Sequence, residues 1–152
     1  MRIKKILIPT DGSPLANGAA RAAIALAQQL DAETIGIYVA PEFLSLMYGE
    51  AIALQSVTED EYRSMEQKAG GAFLSEIGAA AQTAAVKFSG HVVYGNSPAQ
   101  EIVKAAARHN CDLIFIGSHG RGGLGQLLLG SVTTKIMSSC DKPVLVYRAP
   151  HA

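Results

Sequence analysis

The densest cluster of residues able to do chemistry is the run Gly117-Ser118-His119-Gly120-Arg121-Gly122-Gly123-Leu124-Gly125-Gln126-Leu127-Leu128-Leu129-Gly130-Ser131. Five glycines fall between Gly117 and Gly125, and Gly130-Ser131 follows at the start of a helical pattern. Glycine lets a backbone adopt positive φ and approach a ligand closely. The amides of such a loop cradle phosphate oxygens. A helix beginning near Ser131 adds free amides and the positive end of its dipole. The chemistry indicated is binding of a phosphorylated ligand. The competing reading is a loop that binds nothing, which makes the glycines costly without a use.

The run is not a Walker A loop, because no Gly-Lys-Ser/Thr stands at the helix start. Gly120 to Gly125 matches G-x-G-x-x-G, the dinucleotide fingerprint. That fingerprint belongs in a tight first strand-to-helix turn, with an acidic residue ending the next strand. Here the loop is long and follows the fourth strand pattern, and Asp141 precedes the last strand instead of ending it. NAD and FAD are therefore set aside.

The elements that must position this loop follow from the apolar pattern. Ile3 to Ile8, Thr34 to Val39, Val86 to Val93, Leu113 to Ile116 and Pro143 to Tyr147 read as strands. Between them lie helical stretches. Ser13-Pro14 supplies an N-cap and a first-turn proline, and Ser97-Pro98 does the same. Thr58 to Glu61 has the capping-box pattern and opens a helix reaching about Thr83, weakened at Gly70-Gly71 and Gly78. A last helix runs from about Ser131 to Ser139. Residues 41–56 show no clear period and read as a loop with at most a short helix. Strands alternating with helices require crossover connections and a parallel sheet covered on both faces. The expectation is one α/β domain over 1–152, an open parallel sheet of five strands with helices on both faces. Ligands on such a sheet bind beyond the carboxyl ends of the strands.

Composition narrows the function classes. The 13 basic residues balance the 13 acidic ones, so no clustered positive charge asks for nucleic acid. With 49% hydrophobic and 17% charged residues the chain has a globular composition. The apolar run after Met1 is closed by Pro9 and is too short for a signal peptide or membrane span. The expectation is a cytoplasmic protein with no membrane association. Cys111 and Cys140 read as reduced core thiols.

Gly117, Gly120, Gly130 and Ser131 together resemble the Gly-2x-Gly-9x-Gly-Ser/Thr signature of ATP-binding universal stress proteins. Pro9-Thr10-Asp11-Gly12-Ser13 is similar to the first loop of that family, and Gly130-Ser131-Val132 with Pro143 to Val146 is similar to its end. The family's usual His-Val at the second strand stands here as Tyr38-Val39. The resemblance implies a Rossmann-like sheet of order 3-2-1-4-5, of the adenine nucleotide α-hydrolase architecture. It implies ATP with Mg²⁺ as cofactors, lying across the ends of strands one and four. On this reading Asp11 contacts the ribose or a phosphate-bound Mg²⁺, Pro9 and Thr10 line the site, and Val39 holds adenine through its main chain. Gly117, Gly120 and Gly130 approach the ribose or triphosphate, and Ser131 donates to phosphate with Val132 adjacent. Ser118, His119 and Arg121 complete the implied binding set.

Several residues carry two readings. Asp11 is a ligand or a turn cap. His119 is a phosphate donor, a catalytic base or a solvated loop histidine. Arg121 pairs with phosphate or solubilises the loop. Met47 and Tyr48 close over the nucleotide or pack the loop. His91 and His109 read as structural. Val144 to Tyr147 is an apolar edge in the implied order, which invites a homodimer through that strand; the alternative is an edge covered by residues 149–152. Three functions remain. One is an ATP-binding regulatory stress protein with at most slow hydrolysis. The second is an ATPase or nucleotidyl-transfer enzyme of the same architecture. The third is a nucleotide-free dimeric interaction module. No nucleophile–base pair is evident in the sequence.

Overall fold

Three helices among the described residues begin where a capping side chain places them. In the computed structural model, which describes residues 1–44, 57–119 and 128–150, Ser13 Oγ accepts from the Ala16 amide at 3.2 Å. That cap opens α1 (Pro14–Leu30). Thr58 and Glu61 exchange the two bonds of a capping box at 3.2 and 2.9 Å and open α2 (Glu59–Thr83). Ser97 caps α3 (Pro98–Arg108). The fourth helix, α4 (Ser131–Ser139), differs: its N-cap is Gly130, and no side chain caps it.

The strands are β1 (Lys5–Pro9), β2 (Glu33–Ala40), β3 (Phe88–Tyr94), β4 (Leu113–Gly117) and β5 (Val144–Tyr147). They form one sheet in the order β3-β2-β1-β4-β5, and every pairing is parallel. The implied fold is therefore the observed one. The strand limits move by a few residues. β1 starts at Lys5 rather than Ile3 and ends on Pro9, because β2 offers partners from Glu33 to Ile37.

Alternate residues of the central strands feed two cores, as the period of two requires. Ile6, Ile8, Leu113 and Phe115 face α1 and α2, where Ala19, Ala23, Ile24, Ile77 and Ala81 are buried. Leu7, Ile35, Ile37, Ile114 and Ile116 face α3 and α4, meeting Ala99, Ile102, Ala105 and Ile136. The alanines let the helices lie close to the sheet. α2 runs unbroken through its glycines. A Cβ on Gly70 would stand 2.4 Å from the Tyr38 ring, so this glycine makes room for an aromatic of β2. Tyr62 and Tyr38 tie the first half of α2 to the end of β2. The Tyr62 hydroxyl donates to the Pro41 carbonyl at 2.6 Å, and the Tyr38 hydroxyl donates to Glu66 at 2.8 Å. Burial, with the Glu66 carboxylate adding to it, pushes the Tyr62 phenol up to about 12. The expectations for Met47, Tyr48 and most of the 41–56 loop lie outside the described residues.

Candidate functional site

β1 and β4 lie side by side, but the chain leaves them in opposite directions along the sheet, to β2 and to β5. That divergence opens a crevice at their carboxyl ends, the place where open α/β sheets hold ligands. A cleft of about 480 Å³ occupies it, within the size range of small-molecule sites. Pro9, Thr10 and Asp11 line it from β1, Val39 from β2, and Gly117 and His119 from β4. Gly130, Ser131 and Val132 line it from the start of α4.

The β1 side is fixed by short-range bonds. The Thr10 amide donates to the Ile37 carbonyl at 2.9 Å, which ends the ladder between β1 and β2. Thr10 Oγ1 accepts from the Gly12 amide at 3.1 Å, and Asp11 Oδ1 accepts from the Ser13 amide at 2.9 Å. Asp11 therefore braces the turn, the cap role read from the sequence, and it also borders the cleft. Gly12 follows with φ +79°, the one positive-φ glycine among the described residues. A Cβ there would stand 2.4 Å from the Phe73 ring of α2.

The β4 side is locked to both neighbours. The Ser118 amide donates to the Tyr147 carbonyl of β5 at 2.8 Å, and the Gly130 amide donates to the Ser118 carbonyl at 2.7 Å. The buried Thr133 hydroxyl donates to the Gly117 carbonyl at 2.9 Å. These bonds bring the start of α4 against the end of β4. Gly130 has φ −64°, so positive φ does not explain this glycine. Space does: a Cβ on it would stand 3.0 Å from His119 Cα. Ser118 is buried rather than facing the cleft. Its Oγ lies 3.1 Å from His119 Nδ1, a polar pair the sequence did not reveal. Gly120 and Arg121 lie outside the described residues.

The cleft has two chemically distinct parts. Ile37, Val39, Pro98, Ile102 and Ile116 give an apolar part, with Leu128 and Leu129 also on the wall. Thr10, Asp11, His119, Gly130, Ser131 and Thr133 supply polar groups. The sequence reading missed Pro98 and Ile102. Their signal was available in Ser97-Pro98, which starts a helix just after a strand and hence at the same edge of the sheet.

The chain has relatives of known kind. The family model described as Universal stress protein family matches residues 2–148. The chain belongs to the universal stress protein family. Universal stress protein MJ0531 of Methanocaldococcus jannaschii is 36% identical over 150 residues, covering 97% of this chain and 83% of that protein. Universal stress protein MJ0577 of the same organism is 33% identical over 95% of this chain and 94% of its own length. The solved structure of MJ0577 aligns over 100% of both chains with a TM-score of 0.84 and 30% identity. Two more distant universal stress proteins were solved with adenine nucleotides. One is in complex with cAMP, with a TM-score of 0.68, 21% identity and coverage of 97% and 98%. The other, from Archaeoglobus fulgidus, is in complex with dAMP, with a TM-score of 0.67, 18% identity and coverage of 96% and 98%. At these identities the likeness shows the shared fold. Among the described residues no helix is long and apolar enough to cross a membrane.

Proposed function

We propose that this universal stress protein binds ATP in the cleft between β1 and β4 and acts as a nucleotide-responsive regulatory protein of the cytoplasm, with at most slow hydrolysis. The observation that carries the reading is the start of α4. Its N-cap is a glycine with no side-chain cap, and it borders a cleft whose other part is apolar. An uncapped helix end leaves amides and a positive dipole end for an anion. The apolar part, with Val39 at its edge, suits a purine base. Pro9, Thr10 and Asp11 flank the ribose, and Gly117, Gly130, Ser131 and Val132 flank the phosphates. Gly120 and Arg121 belong to the same set by resemblance. That two more distant relatives were solved with cAMP and dAMP supports an adenine nucleotide as the ligand.

The residues also fit a bound Mg²⁺. Asp11 is the one carboxylate lining the cleft among the described residues, and no described cluster of three metal-ligating side chains exists. Magnesium commonly takes one or two carboxylates and completes its shell with phosphate oxygens and water. When bound, it would screen charge on the phosphates. The protein's own contribution is positioning: α4 orients the phosphates and the apolar wall fixes the base.

We also read β5 as the homodimer strand. It is one of the two sheet edges, it is apolar, and Leu145 is 37% exposed. The following residues 148–150 are themselves exposed. Calorimetric titration with Mg·ATP tests the nucleotide reading. The expected result is a dissociation constant in the micromolar range or tighter, about −8 kcal/mol, abolished by Gly130→Val in a protein that remains folded. Unchanged affinity in that variant would refute the assignment of the α4 terminus.

A further inference from the structure

Ser118 and His119 form a pair that a simple amide cradle does not require. Ser118 is 5% exposed. Its amide is held by the Tyr147 carbonyl of β5, and its carbonyl by the Gly130 amide. His119 has its backbone pressed against Gly130 and lines the cleft. Ser118 Oγ and His119 Nδ1 are 3.1 Å apart. The ring is therefore anchored through Nδ1 by a residue that is itself bonded to β5 and α4.

A neutral imidazole has one donor and one acceptor nitrogen, and the partner of one sets the role of the other. A hydroxyl can donate or accept. If Nδ1 carried the proton, Nε2 would present a lone pair, which repels an anion. If the hydroxyl donates to Nδ1, Nε2 carries the proton and becomes a phosphate donor. We propose that Ser118 is a positioning residue that donates to His119 Nδ1, so that His119 presents Nε2–H to the polyphosphate of the bound nucleotide. This role rests on the nucleotide reading above. It gives the cleft a side-chain phosphate donor besides the amides of α4, one whose tautomer is set from beneath.

Two measurements on the full chain test it. Nitrogen-15 NMR of the imidazole, recorded for the neutral ring, should show the Nε2–H tautomer in the wild type and in Ser118→Thr, and a mixture in Ser118→Ala. Titration with Mg·ATP should show a loss of about tenfold or more for His119→Ala. His119→Gln places an amide N–H near the Nε2 position and should stay within about threefold of the wild type. Thermal melts check that each variant is folded, and the glutamine and threonine variants keep the test open if an alanine variant is not. An Nδ1–H tautomer in the wild type, or unchanged ATP affinity in His119→Ala, would overturn the role while leaving the nucleotide reading intact. Failure of the wild type itself to bind ATP would overturn both.

Discussion

At the scale of single residues, two glycines are needed for different reasons, and each gives a distinct expectation. Gly12 is in the left-handed region at φ +79° with the Phe73 ring over it. Gly12→Ala adds backbone strain of about 1–2 kcal/mol and an overpacking cost of about 1–3 kcal/mol. Urea unfolding should show the sum as a lower midpoint. Gly130 has an ordinary φ and is limited by the His119 backbone 3.0 Å away from its missing Cβ. Gly130→Ala should cost less stability but still weaken ATP binding by about tenfold, read by calorimetry. The thiols divide by burial. Cys111 is buried, and its thiol is pushed up to about 11 by that burial. Cys140 is only partly buried. Alkylation of the folded protein, read by mass spectrometry, should modify Cys140 first.

At the scale of elements, a pH dependence follows from the end of α3. His109 stacks on His91 of β3 with centroids 4.6 Å apart. Burial first, then the neighbouring His91, Arg108 and Lys5 charges, hold His109 below its ordinary 6.5. The folded state thus prefers the neutral ring. Between the folded and unfolded values the unfolded chain binds more protons, so stability falls as pH drops through about 6.5 and levels off below the folded value. The wild type should lose more stability than His109→Gln between about pH 8 and about pH 5, measured by denaturant midpoints. Helix starts were legible in the sequence because caps are local: Ser13-Pro14, Thr58 with Glu61, and Ser97-Pro98 each name their own turn. Strand limits were less so, because the partner strand decides where a ladder ends, as Glu33 to Ile37 do for β1. The candidates Pro9 to Asp11 and Gly130 to Val132 were legible as the end of a strand with its following loop and the start of a helix. The apolar wall was not, since Ile102 and Ile116 look like any core residue until α3 is placed over the sheet edge. The Ser118–His119 bond was hidden for a similar reason: adjacent residues say nothing of their side-chain directions.

At the scale of the whole molecule, the parallel sheet joins one of its two edges, β5, to its cleft through few bonds. Tyr147, the last residue of β5, accepts from the Ser118 amide, and Ser118 accepts from Gly130. A charge on an edge strand discourages pairing with another chain, so Leu145→Lys should convert the proposed homodimer to a monomer in analytical ultracentrifugation. A ligand bound only by the folded state raises stability by mass action; Mg·ATP should therefore raise the melting temperature of the wild type and not that of Gly130→Val. The most direct test of the central claim needs no variant. The purified protein is denatured, and the released small molecules are separated by chromatography beside the same protein equilibrated with Mg·ATP and freed of excess. The account predicts an adenine nucleotide carried by the protein or retained after loading, in a ratio approaching one per chain. Absence of any adenine nucleotide under both conditions would contradict it and leave a nucleotide-free interaction module as the reading of this fold.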